Sequence, residues 1–190
     1  MTSEHEIFLH DRILDKLFLW MIPQWISPNS ITIVRIILTP FVVFLNYHQM
    51  FSWGIPLFLF AAFTDAVDGS LARTRGQITN FGKLFDPLAD KLLVGSMVVV
   101  LVFKYLNPLI GYIVIISEII FIVFGVVQRI RGKILQANNW GKTKMVLQVI
   151  AVSLVLFGLT LGNQLWLITA GWVFGASFMF ALVSLFFHGI

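Results

Sequence analysis

Long apolar stretches alternate with short polar ones along most of the chain. Each apolar stretch is close to the roughly 20 residues that a helix needs to cross the hydrocarbon core of a bilayer. Six of them are apparent, at residues 30–48, 53–72, 84–105, 108–130, 142–161 and 165–187. The pattern therefore predicts an all-α integral membrane protein with six transmembrane helices in one bundle.

The first 22 residues follow a different pattern, in which charged side chains are interleaved with large apolar ones. This pattern favours an amphipathic helix that lies at the membrane interface. A cleaved signal peptide is not expected, because acidic residues precede the apolar part and no basic region does. Pro23 and Pro28 should break this helix, and Ser27 or Asn29 can cap the next one.

The composition agrees with a membrane protein that forms one domain over residues 1–190. Apolar residues make up 58% of the chain and charged residues only 12%, against roughly 25% in soluble domains. The mean hydropathy is +0.91. Cysteine is absent, which excludes disulfides and thiolate metal sites. The net charge of +4 does not indicate nucleic-acid binding, because the basic residues lie in short loops between apolar stretches.

The basic residues are distributed unevenly over the two ends of the predicted helices. The second and fourth loops and their edges contain most of them, whereas the first and fifth loops contain no lysine or arginine. Positive charge is retained on the cytoplasmic side of a membrane. The even loops and both termini are therefore predicted to be cytoplasmic.

Four of the nine acidic residues lie at the inner ends of the second and third apolar stretches. On helices, Asp65 and Asp68 share one face, and Asp86 and Asp90 share another. Each carboxylate near membrane depth costs roughly 2.5–3.5 kcal/mol on insertion scales, so four of them need compensation. Carboxylates without cysteine or nearby histidine suit two hard cations, Mg²⁺ or Mn²⁺. The alternative is a set of helix-end charges that contact water.

The same stretch carries a longer pattern: Asp65-x2-Asp68-Gly69-x2-Ala72-Arg73-x8-Gly82-x3-Asp86-x3-Asp90. These eight positions over 26 residues resemble the signature of the CDP-alcohol phosphatidyltransferases. The resemblance implies an integral membrane enzyme, and a homodimer, that displaces CMP from a CDP-linked lipid with an alcohol. It also implies that Asp65, Asp68 and Asp86 bind the metals, and that Asp90 shares the second metal and acts as the general base.

The resemblance extends to a pocket for the CDP-lipid. The segment Asn29 to Arg35 reads NSITIVR and resembles the N-L-T-x-x-R pattern of the family, which implies that Asn29 and Thr32 line the cytidine pocket. Arg35 would then point into the bundle, although a cation that snorkels to the surface is the alternative. The remaining candidates are Arg73 as a bidentate donor to the diphosphate, the small Gly69, Ala72 and Gly82 that allow close approach, and Thr79 as a polar contact.

A second group of residues suggests where the acceptor binds. The segment Trp140 to Lys144 resembles the G-K-x-K segment of phosphatidylglycerophosphate synthases, and with Arg129 it would place Arg129, Lys142 and Lys144 around an acceptor phosphate. Ordinary inside-positive charge is the alternative. Glu118, inside the fourth apolar stretch, needs a cationic partner, which could be Arg129 or an arginine of another span.

These observations together predict transfer of a phosphatidyl group from CDP-diacylglycerol to a small hydroxyl acceptor in the membrane. Glycerol-3-phosphate is the first choice, and phosphatidylglycerol (a cardiolipin synthase) or inositol phosphate are alternatives. A non-enzymatic metal or lipid transporter is a different class of function. Transporters often contain repeated halves, and no internal repeat is visible here.

Overall fold

The computed structural model describes residues 23, 26–76, 79–130 and 139–188. The predicted interfacial helix over residues 1–22 lies outside these residues. Within the described ranges every regular element is a helix, as the all-α prediction requires.

Six long helices follow the six apolar stretches. Their bounds are α1 Pro28–Tyr47, α2 Phe51–Thr74, α3 Asn80–Met97, α4 Pro108–Ile130, α5 Asn139–Leu161 and α6 Gln164–His188. The third helix does not end at Met97, because a π-helical segment, Val98–Val102, and a last α-helical turn, Phe103–Tyr105, continue it. Nothing in the run of valines that forms the π-helical segment predicts this local widening.

Local sequence explains where several helices start and stop. Ser27 caps α1 by accepting a hydrogen bond from the backbone N–H of Ser30 at 3.2 Å, and Pro28 occupies the first turn, where its missing N–H costs nothing. Thr79 caps α3 in the same way through the N–H of Gly82. Gly162 follows α5 with φ of +62°, the left-handed conformation that suits glycine after a helix.

The helices pack into one bundle with an apolar interior. The most extensive helix pairs are α5 with α6 and α1 with α2, and α3 packs against α1 and α5. Fully buried side chains such as Phe58, Met97 and Leu156 form the centre of this core. Because lipid tails are as apolar as these side chains, close packing rather than exclusion of water holds such a core together.

Several helices present large apolar side chains outward. Phe41 is 58% exposed and Trp172 is 78% exposed. Among the described residues, four helical segments are long and apolar enough to cross a membrane: Pro28–Tyr47, Phe51–Ala72, Trp140–Leu161 and Gln164–Leu185. An apolar surface on helices of this length is typical of a membrane protein, in which the exposed side chains contact lipid.

Candidate active site

The polar parts of three helices meet at one side of the bundle. Asp65 and Asp68 lie in the C-terminal half of α2, and Asp86 and Asp90 lie near the middle of α3. Members of each pair are about one turn apart, so they project from the same side of their helix. Arg35 of α1 lies between the two pairs. The fold thus gathers the predicted aspartates around a cation from a third helix.

Arg35 is completely buried and contacts three of the four aspartates. Its Nη1 donates to Asp65 Oδ1 at 2.7 Å and to Asp90 Oδ1 at 2.6 Å, and its Nη2 donates to Asp68 Oδ2. The planar guanidinium can reach several carboxylates at once because its five N–H groups point in fixed, different directions. The sequence allowed Arg35 either to point into the bundle or to snorkel to the surface. The structure places it in the bundle, where it links α2 and α3.

Thr32, about one turn before Arg35, holds the fourth aspartate. Its Oγ1 donates to Asp86 Oδ1 at 2.7 Å and lies 3.3 Å from Asp68 Oδ2. A hydroxyl has only one proton, so the shorter contact to Asp86 is the stronger hydrogen bond. The sequence predicted Thr32 at the nucleotide pocket, and the structure places it directly against two of the candidate metal ligands.

Among the described side chains, the aspartate cluster carries more negative charge than its partners neutralise. Four carboxylates and the guanidinium of Arg35 give a formal charge of −3. Within the same described part, Asp68 Oδ1 is buried and has no hydrogen-bond partner. An oxygen-only donor set with a surplus of charge and an unpartnered buried oxygen fits divalent cations such as Mg²⁺ or Mn²⁺. Among the described residues, no three potential ligands are placed so that they could hold one metal ion, and Arg35 lies among the aspartates.

Three predicted nucleotide-binding residues lie together at the start of α3. Thr79 Oγ1 donates to Asn29 Oδ1 at 2.7 Å and accepts from the N–H of Gly82 at 2.9 Å. A Cβ on Gly82 would lie 3.2 Å from Asp86 Oδ2 and 3.4 Å from Asn29 Oδ1. Glycine at this position therefore leaves room for the Asp86 carboxylate, one turn further along the same helix, and for the Asn29 amide of α1.

The other predicted nucleotide contacts follow Asp68 along α2. Gly69 and Ala72 are half-buried there and keep this part of the helix free of bulky side chains. The side chain of Arg73 lies outside the described part of the structure, so its contact with a diphosphate stays a prediction.

A cavity of about 550 Å³ opens beside the aspartate cluster. It lies among α3, α4, α5 and the end of α6, and most of its wall is apolar. Its polar and charged lining includes Asp90, Lys91, Glu118, Lys142, Lys144, Gln148 and Ser184. The candidate base and several cations therefore face one space.

Glu118 of α4 is bound across this cavity to α5. Its Oε1 pairs with Lys144 Nζ at 2.5 Å and accepts a hydrogen bond from Gln148 Nε2 at 2.9 Å. The prediction of an arginine partner is wrong for this contact, since the ion-pair partner is a lysine. Arg129 lies eleven residues further along α4, about 16 Å away along the axis, whereas Lys144 and Gln148 lie one turn apart on the helix that Glu118 contacts.

The predicted acceptor residues divide into three cases. Lys142 lines the cavity and is exposed. Lys144 also lines it but is buried and paired with Glu118, so it faces an acceptor only as part of that pair. The side chain of Arg129 lies outside the described residues.

Lys91 was not singled out from the sequence, yet it lines the cavity and lies within electrostatic range of Asp90, Glu118 and Lys144. The available signal was its place directly after the last aspartate of the motif. On a helix that place is turned by about 100° from Asp90. Lys91 therefore adds a cation to the wall that Asp90 also lines.

Comparisons with known proteins identify the family of the chain. The family model "CDP-alcohol phosphatidyltransferase" matches residues 25–183. The chain is 42% identical over 147 residues to CDP-diacylglycerol–glycerol-3-phosphate 3-phosphatidyltransferase of Bacillus subtilis, covering 68% of this chain and 75% of that protein. It is 34% identical to the protein of the same name from Rickettsia felis over 69% of this chain and 75% of the relative. A shorter match, 41% over 83 residues, is to a probable CMP-forming cardiolipin synthase of Drosophila melanogaster, covering 43% of this chain and 26% of that protein. The chain belongs to the CDP-alcohol phosphatidyltransferase family.

Proposed function

We propose that the protein transfers the phosphatidyl group of CDP-diacylglycerol to glycerol-3-phosphate, which releases CMP and forms phosphatidylglycerophosphate. The observation that carries this proposal is the direct connection between an acidic cluster and a cavity rich in lysine, joined at Asp90. The acidic cluster suits a metal-bound diphosphate, and the lysines suit an anionic acceptor. The names of the two bacterial relatives support the same pair of substrates.

The donor site is assigned to the aspartates and the residues around them. Asp65, Asp68, Asp86 and Asp90 would hold two divalent cations, Mg²⁺ or Mn²⁺. Such ions polarise a diphosphate and neutralise the charge that develops on a departing nucleotide. Thr32 orients Asp86, and the group of Asn29, Thr79 and Gly82 shapes the adjoining nucleotide pocket. The remaining residues assigned to the donor site are Gly69, Ala72 and Arg73.

The acceptor is assigned from the charge of the cavity. The charged residues that line the cavity are three lysines, Lys91, Lys142 and Lys144, and two acids, Asp90 and Glu118, which give a formal charge of +1. The lysines outnumber the acids and their ammonium groups can donate to phosphate oxygens, so the cavity suits an anionic acceptor such as glycerol-3-phosphate. We place Arg129 beside the same phosphate.

Asp90 would act where the two substrates meet. It lines the cavity and contacts Arg35, which connects it to the donor cluster. In the reaction the acceptor hydroxyl loses its proton to Asp90, its oxygen bonds to the phosphatidyl phosphorus, and the bond from that phosphorus to CMP breaks.

The orientation in the membrane follows from the charges. We propose six spans, an interfacial helix over residues 1–22, and both termini and the active site in the cytoplasm, where the CDP-lipid head group and glycerol-3-phosphate would be accessible. A reporter fused at Gly76 should be cytoplasmic and one at Gly162 should be on the opposite side. A reversed result would contradict this orientation. Family membership also favours a homodimer, which mass measurement in detergent would test.

The proposed reaction is tested with purified protein, CDP-diacylglycerol and a panel of acceptors. Glycerol-3-phosphate should give equal amounts of CMP and phosphatidylglycerophosphate, and excess chelator should abolish both until Mg²⁺ or Mn²⁺ is restored. Chelated Asp86→Asn protein sets the background. A preference for phosphatidylglycerol would establish a cardiolipin synthase, which the match to the Drosophila relative and the largely apolar cavity make the second candidate. A preference for inositol phosphate would change the assigned acceptor but not the type of reaction.

A further inference from the structure

We propose that Arg35 is an internal counter-cation of the aspartate cluster, which holds the metal-free carboxylates together and competes with divalent cations for their oxygens. The inference rests on the metal site assigned under the proposed function and gives one residue of α1 a role in controlling it. Arg35 would thereby set how tightly the site binds its ions.

The position of Arg35 supports this role. Its side chain is 0% exposed, and it contacts Asp65, Asp68 and Asp90 from two different helices. Carboxylates that are close together and shielded from water repel one another strongly, so a metal-free cluster needs a cation within it. Arg35 supplies that cation permanently, because an arginine side chain stays protonated in proteins.

Competition follows from which oxygens Arg35 uses. Asp65 Oδ1, Asp90 Oδ1 and Asp68 Oδ2 all face the guanidinium. These are the kind of oxygen that a hard cation requires. Among the described side chains, no three potential ligands converge on one point in this arrangement, while Asp68 Oδ1 is buried without a partner. A cation that binds through these same oxygens exchanges contacts with Arg35.

The alternative is that Arg35 merely positions the aspartates and keeps all its contacts after ions bind. The two roles predict opposite signs for one measurement. If Arg35 competes, Arg35→Gln should bind Mn²⁺ more tightly, by about tenfold, since a rival charge has been removed from the cluster. If Arg35 only positions the ligands, the same variant should bind Mn²⁺ more weakly.

Stability in chelator gives a second readout that does not depend on activity. Arg35→Gln leaves the buried carboxylates without their cation, so its Tm in chelator should fall by roughly 10 °C relative to the unchanged chain. Saturating Mn²⁺ should restore most of this loss. Lys104→Gln is the matched control, because it removes a cation that contacts aromatic rings of Tyr47 and Tyr105 rather than the cluster.

The experiment titrates Mn²⁺ into purified protein in detergent and measures the free ion by electron paramagnetic resonance. The unchanged chain, Arg35→Gln, Arg35→Lys, Lys104→Gln and Asp68→Asn are compared, all purified in Mg²⁺ and then stripped. Tighter binding by Arg35→Gln, with Lys104→Gln unchanged, supports the inference. Unchanged or weaker binding overturns it. If Arg35→Gln does not fold, Arg35→Lys provides the same test. Its Mn²⁺ affinity should be higher than that of the unchanged chain, because a lysine makes fewer contacts and should compete less, and an unchanged or lower affinity overturns the inference. Equal, weak binding by the unchanged chain and Asp68→Asn would instead overturn the metal site itself.

Discussion

Two clusters of charged residues meet at Asp90, and their net charges differ in sign. In the first, Arg35 is surrounded by aspartates that outnumber it. In the second, Glu118 pairs with Lys144 in a cavity that further lysines also line. Both clusters join helices through ion pairs, so the presence of an ion pair does not distinguish them. Their net formal charges do distinguish them, because the net charge is negative in the first cluster and positive in the second.

The surplus is the informative quantity, since a buried ion pair alone is weak evidence for stability or for function. An excess of carboxylates favours bound cations, and an excess of lysines over acids favours a bound anion. The first cluster therefore fits metal ions with the donor diphosphate, and the second fits the phosphate of an acceptor. The comparison can be broken by changing each cluster separately.

The largest effect is expected from Asp68→Asn. An amide is a poor ligand for a hard cation, and this carboxylate has a buried oxygen that no described residue contacts by a hydrogen bond. CMP release should fall by more than about a hundredfold. A loss of up to about a hundredfold is typical when a residue that only hydrogen-bonds a metal ligand is replaced, and loss of the ligand itself should cost more. The variant should still insert in the membrane and purify as a single species. Near-normal turnover would contradict metal binding by the aspartate cluster.

The second cluster should respond to Glu118→Ala through stability. This change leaves Lys144 buried without its carboxylate partner, which typically costs about 3–5 kcal/mol in free energy of unfolding. Thermal unfolding in detergent measures the loss. The double variant Glu118→Gln with Lys144→Met is the control and should recover most of it, because no unpaired charge remains. A single variant as stable as the unchanged chain would show that the pair is not buried.

Removal of one cavity lysine should impair use of the acceptor glycerol-3-phosphate without affecting binding of the donor. In Lys91→Ala or Lys142→Ala the acceptor phosphate loses a charge-assisted contact of roughly 1.5–3 kcal/mol. This corresponds to a loss of about tenfold to a hundredfold in kcat/KM for glycerol-3-phosphate. Lys104→Ala is the matched control, since Lys104 contacts aromatic rings instead. Unchanged kinetics in both cavity variants would exclude glycerol-3-phosphate from this cavity.

An effect no larger than that of the lysine variants is expected from Thr32→Val, which keeps the shape of the side chain but removes the hydrogen bond to Asp86. A hydrogen bond to a carboxylate contributes roughly 1.5–3 kcal/mol, so CMP release should fall about tenfold to a hundredfold. Thr32→Ser retains the hydroxyl and should stay close to the unchanged chain. Equal rates in the valine and serine variants would mean that Thr32 does not orient Asp86.

The sequence was sufficient for features that depend on local spacing. The apolar stretches predicted the helices because each element has a length close to one bilayer span. The separations within Asp65/Asp68 and Asp86/Asp90 placed each pair on one helical face, since three or four residues make about one turn. Crossing of the membrane by all six helices stays a prediction.

Features that depend on how one helix is turned toward another were not available from the sequence. The contact of Arg35 with Asp65 spans 30 residues, and that of Glu118 with Lys144 depends on the rotation of α5 against α4. Arg129 was the nearer cation by number but not in space. Lys91 was overlooked because its role comes from a cavity whose walls belong to four helices.

The central claim is that the acidic cluster binds the donor and the lysine cavity binds the acceptor. It is tested most directly by equilibrium binding of labelled CDP-diacylglycerol, in Mg²⁺ and without acceptor, to the unchanged chain, Asp86→Asn and Lys91→Ala. We predict that Asp86→Asn loses donor binding and that Lys91→Ala retains it. Donor binding that survives in Asp86→Asn, or disappears in Lys91→Ala, would contradict the division between the two clusters.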